Sequence, residues 1–128
     1  MVPIEEQIST LSEAELEVFP LGIARLDRAG NVLFFNQAEE RFANRRAQDT
    51  IGLNYFREVA PCTAVKAFQG RFIELFATRE ARVETFSFRY PFWLGAKQVT
   101  IKFIRRPEDD DSMYVVTQVD TASNPANP

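Results

Sequence analysis

Apolar positions along the chain change their period several times, and each change marks an element. Ile8, Leu11 and Leu16 stand near helical spacing in "ISTLSEAELE", where Ser12 and Glu15 form an S-x-x-E capping box. That pattern predicts a short N-terminal helix within residues 8–17. In "PLGIARLDRAGNVLFFN" two apolar runs flank "DRAGN", and its Asp, Gly and Asn supply turn chemistry. Leu21–Leu26 and Asn31–Phe35 therefore read as a hairpin. Asn36 then caps a brief helix running to Asn44. "QDTIGLNYFREVAP" is punctuated by Gly52 and Pro61, and only local turns are expected there.

The clearest helical stripe is in "AVKAFQGRFIELFATRE", where Phe68, Phe72, Leu75 and Phe76 fall on one face. Alternation takes over afterwards. Phe86, Phe88 and Tyr90 alternate with Ser87 and Arg89, and Val99, Ile101 and Phe103 alternate with Thr100 and Lys102. "SMYVVTQVD" supplies a last strand, after a charged loop, "RRPEDDDS", expected to face solvent. Two early strands, a helical middle and three late strands give an α+β fold. Its expected form is one five-stranded antiparallel sheet with helices on one face and an N-terminal helical cap. The chain divides into a cap over residues 1–18, a domain over 19–120 and a Pro- and Asn-rich tail over 121–128, expected to be disordered.

Composition narrows the chemistry. There is no histidine and a single cysteine, Cys62. Without histidine there is no Ser-His or Cys-His nucleophile pair and no His-ligated haem or zinc, and one thiol cannot hold a metal cluster. With no phosphate-cradling glycine loop either, an enzyme is not expected. A net charge of −3 argues against a nucleic-acid partner. No apolar run reaches membrane-helix length and the start lacks a signal-peptide pattern, so the expected location is the cytoplasm, where a lone thiol stays reduced. The 12 phenylalanines need either a large shared interior or a lined pocket. On its own Cys62 reads as a small buried residue packed behind Pro61.

The residues around Cys62 add more. "RLDRAGNVLFFNQAEE", "IGLNYFREVAPCT" and "FQGRF" stand in one order and spacing that resembles PAS domains, and among them the photoactive yellow protein family. "VAPCT" followed by F-x-G-x-F carries most of that resemblance, which spans about Leu16 to Val119. It implies a PAS fold and a blue-light sensor, with 4-hydroxycinnamic acid (p-coumaric acid) held on Cys62 as a thioester. By the same resemblance Glu39 is the proton-donating carboxyl and Arg45 covers the pocket mouth. Phe88 and Tyr90 are pocket aromatics, and Phe92 takes a loop position beside the chromophore. Phe35 and Ala43 stand where the family has a tyrosine and a threonine that hold the phenolate. These departures keep a second expectation open: a chromophore-free PAS module that works by self-association or by docking a downstream signalling protein.

Overall fold

The computed structural model describes residues 2–78, 82–92, 95–106 and 108–120. Five strands form one antiparallel sheet: β1 (Gly22–Asp27), β2 (Val32–Phe35), β3 (Val83–Phe92), β4 (Gly95–Ile104) and β5 (Ser112–Val119), in the spatial order β2-β1-β5-β4-β3. The expected two early and three late strands are thus present. Chain-distant β1 and β5 join the two groups, pairing from Gly22 opposite Thr117 to Asp27 opposite Ser112. Pro91 lies near the end of β3, an edge strand, where its missing N–H costs no ladder bond on the open side.

Alternation along these strands loads both faces with apolar side chains. One face carries Ala24, Leu26, Phe35, Val99, Ile101, Phe103, Met113 and Val115, and the main core forms there. The other carries Ile23, Phe34, Ile104, Tyr114 and Val116. Helix α3 (Gln37–Ala43), α4 (Arg71–Ala77) and the turns between them cover the first face. The N-terminal segment covers the second through Ile8 and Leu16, both fully buried.

That segment is two helices, α1 (Ile4–Thr10) and α2 (Glu13–Glu17), where the sequence predicts one. Ser12 explains the break. Its side chain accepts from the Glu15 N–H while the Glu15 carboxylate accepts from the Ser12 N–H, so the capping box starts a new helix within the expected one. The helix expected from "AVKAFQGRFIELFATRE" is also shorter. It opens as a wide π-type turn over Lys66–Gly70 and becomes α-helical only over Arg71–Ala77. A second π-type turn, Tyr55–Val59, and a 3₁₀ turn, Pro61–Thr63, replace simple loop before it. The charged loop is exposed at Asp110 and Asp111 as expected, and it also pairs: Asp110 lies 3.4 Å from Arg82 and 3.5 Å from Arg105. Residues 121–128, the expected tail, lie outside the described residues.

Candidate functional site

The site lies on the first face of the sheet, between α3 and the turns that lead to Cys62. Asn54 fixes the entry to those turns. Its side-chain oxygen accepts from the N–H groups of Phe56 and Arg57, and its amide donates to Ala29 O at 2.9 Å in the β1–β2 turn. Tyr55 follows, fully buried, with its ring edge-on to Phe56 and stacked on Phe68 at 6.2 Å. Pro61 then opens the 3₁₀ turn that carries Cys62, and Thr63 Oγ1 closes it by donating to Ala60 O at 2.7 Å.

Cys62 is half-buried and opens onto a cleft of about 280 Å³ that Phe42, Ala43, Val59, Ala60, Pro61, Tyr90 and Pro91 also line. Burial pushes its thiol above the ordinary range, so it is neutral at pH 7. Tyr90, at the cleft wall, places its hydroxyl 3.3 Å from that of Tyr55. Burial raises both phenols, and the nearby Glu39 carboxyl and Cys62 thiol raise them further.

Glu39 sits one turn into α3 and is 3% exposed. Asn36 explains its inward position, since the Asn36 side-chain oxygen caps α3 by accepting from the Glu39 N–H at 3.0 Å. The Glu39 Oε1 atom is buried without a hydrogen-bond partner among the described residues. Burial alone pushes its carboxyl up to about 8, so it holds its proton at neutral pH. Gly22 makes room for it: a Cβ on Gly22 would meet Glu39 Oε1 at 2.2 Å and the Phe42 ring at 2.7 Å. Glu40, the other member of the "EE" pair, turns away and accepts from the Ala47 N–H at 2.6 Å.

The remaining expected site residues divide. Phe35 is buried at the end of β2, in the same apolar cluster as Tyr55 and Tyr90. Phe88 is half-buried against Phe68 and Tyr90, with ring centroids at 5.1 and 6.2 Å. Arg45 donates to Glu58 O at 3.0 Å and lines a neighbouring polar hollow with Glu40, Arg41, Asn44, Arg46 and Asp49. The cleft at Cys62 is walled without it. The backbone of Phe92 ends β3 opposite Gly95, and its side chain lies outside the described residues. Tyr55 is the residue that the sequence reading passed over. Its signal was a tyrosine directly before Phe56, where a buried ring alone would be served by phenylalanine.

Comparison with known proteins agrees with this architecture. A family model described as the PAS fold matches residues 10–105. The photoactive yellow protein of Cereibacter sphaeroides is 37% identical over 94 residues, 73% of each chain. That of Halochromatium salexigens is 34% identical over 113 residues, 88% of each chain. Among solved structures, the photoactive yellow protein domain of the sensor histidine kinase Ppr from Rhodospirillum centenum superposes with a TM-score of 0.78 at 29% identity, covering 90% of this chain and 99% of that one. A sheet in the order β2-β1-β5-β4-β3, a thiol on the "VAPCT" turn and a buried carboxyl on α3 thus come with relatives that share most of the chain's length: the chain belongs to the photoactive yellow protein family of PAS sensory modules.

Proposed function

We propose that this chain is a cytoplasmic, non-enzymatic light sensor that carries 4-hydroxycinnamic acid as a thioester on Cys62 and signals to a downstream protein. One observation carries the reading: a half-buried thiol opens on a cleft walled in part by Phe42 and Tyr90 and flanked by α3, whose Glu39 is protonated and has its Oε1 buried without a hydrogen-bond partner among the described residues. When bound, such a group supplies absorption of visible light and a double bond that light can isomerise.

The protein's own residues do the rest. Cys62, as thiolate, attacks the carbonyl carbon of an activated acyl donor. The C–S bond forms, the leaving group departs with its electron pair, and the thiol proton goes to solvent. Since burial raises this thiol, the thiolate fraction grows with pH, and acylation is expected to be faster at pH 9 than at pH 7. Glu39, protonated at neutral pH, is both a hydrogen-bond donor and a proton source. Once it loses that proton it becomes a buried carboxylate, a state that costs several kcal/mol unless it is paired. That cost is the driving force for loosening the structure around α3.

The test is reconstitution. Incubation with an activated p-coumaroyl ester is expected to add one acyl group by intact mass and to produce a visible absorption band, both lost in Cys62→Ala. Unchanged mass at pH 9 would leave the alternative of a chromophore-free interaction module.

A further inference from the structure

Two buried oxygens on the first face of the sheet have no hydrogen-bond partner among the described residues: Glu39 Oε1 and Thr117 Oγ1. They belong to one neighbourhood. Thr117 stands in β5 directly opposite Gly22 of β1, and Gly22 is the residue that makes room for Glu39. Glu39 Oε1 lies 2.2 Å from where a Cβ on Gly22 would sit. Directly opposed strand residues share a face, with Cβ positions about 4.5–5.5 Å apart, so Glu39 Oε1 is about 3–7 Å from the Thr117 Cβ. Thr117 is 1% exposed, and Val115 and Val119, on either side of it along that face, are apolar. Valine would fill the same place with the same branched shape, so the hydroxyl brings a desolvation cost with no bond to offset it.

A carboxylate needs donors, and a hydroxyl is one. Glu39 is neutral while it keeps its proton and becomes a buried anion once that proton leaves. The titratable groups that face it are Tyr55 from the π-type turn and Tyr90 from β3, whose hydroxyls lie 3.3 Å from each other. Thr117 approaches from the sheet instead. We propose that the Thr117 hydroxyl is the donor that receives the Glu39 carboxylate after its proton has left, holding the ionised acid inside the core. Rotation about the last side-chain bond of Glu39, a broad and low-cost torsion, turns the carboxylate toward it. A bond to the charged form is stronger than one between neutral groups, so the contact forms when it is needed and lapses when Glu39 is reprotonated. That the proton leaves in response to light rests on the reading above. In the unloaded chain the same carboxylate forms when hydroxide takes the proton at alkaline pH.

The experiment uses the full, unloaded chain labelled with carbon-13 and follows the Glu39 carboxyl resonance against pH, identified by its loss in Glu39→Gln. The parent is expected to titrate at about 8. Thr117→Val is expected to raise that midpoint by about one pH unit or more, the scale of one hydrogen bond to a charged group. Thr117→Ser keeps the hydroxyl and is expected to keep the parent's midpoint, and Thr117→Ala decides the matter if the valine variant does not fold. At pH 5, where Glu39 is neutral, thermal melts are expected to show Thr117→Val at least as stable as the parent, so that a raised midpoint does not come from a damaged fold. An unchanged or lowered midpoint without the hydroxyl, or an equal rise in Thr117→Ser, would overturn the role of Thr117. No acyl group takes part in this titration, so that result leaves the thioester reading standing. A parent chain that gains no acyl mass on reconstitution overturns the thioester reading and leaves the Thr117 contact to the titration.

Discussion

Glu39 holds a buried carboxyl whose Oε1 has no hydrogen-bond partner among the described residues to return the lost hydration. The sign of its effect on stability follows. Its ordinary value is 4.5 and its folded value is about 8, so between those limits the folded chain holds a proton that the unfolded chain has released. Stability is therefore fullest below about pH 4.5 and falls as pH rises toward 8, by at most ~1.4 kcal/mol per pH unit for this one group. Glu39→Gln removes the titration. Its melting temperature is expected to exceed that of the parent at pH 8, and its stability to vary much less between pH 5 and 8, as thermal melts across that range would show. Sequence could not decide which of Glu39 and Glu40 faces inward, because adjacent residues on a short helix need only a small rotation to exchange places. The choice is made by the Asn36 cap and by the space over Gly22, both set by tertiary packing. The Tyr55–Tyr90 contact was hidden for another reason: its partners are 35 residues apart and belong to different elements, so no local spacing announces it.

Elements were legible where periodicity ran uninterrupted and less so where a single side chain redirected the backbone. The alternating strands appear as expected, since burial on one face follows directly from alternation. The helices shifted because Ser12 restarts one of them and a π-type turn at Lys66–Gly70 opens another, and both are local hydrogen-bond choices within helix-forming sequence. Arg106 holds the N-terminal pair in place. Its guanidinium donates to Ile8 O at 2.8 Å and to Leu11 O at 2.5 Å, and it lies over the Tyr114 ring at 4.9 Å. These acceptors are carbonyls at the end of α1 and in the break before α2, where helical partners run out. Arg106→Ala is expected to weaken the docking of residues 4–17 by about 1.5–3 kcal/mol. Hydrogen exchange would show faster exchange there, with protection in β4 and β5 retained.

For the whole molecule, the consequence of a sheet that is apolar on both faces is that neither covering is dispensable. The expectation of helices on one face with a separate cap is met, and the cap buries the second apolar layer of Ile23, Phe34, Ile104, Tyr114 and Val116. Removing residues 2–18 would expose that layer as one contiguous patch, the kind that drives association. Such a truncated chain is expected to self-associate, seen as increased mass by light scattering, while far-UV dichroism keeps its β signal. The joining of β1 to β5 across the chain was the least legible step, since it depends on which two strand groups meet rather than on any local pattern.

Between the two layers sits one fully buried amide. Asn36 donates to Leu16 O at 2.9 Å and Leu21 O at 3.0 Å, and accepts from Ile23 N–H at 2.9 Å and Glu39 N–H at 3.0 Å. Every hydrogen-bonding position of that side chain is in use, so it has no slack to absorb a displacement. A shift of the backbone at Glu39 must stretch a bond at the foot of the cap or break it. Three residues along the chain, rather than a path through the core, are all that separates the buried acid from the rivet that fastens the outer helices.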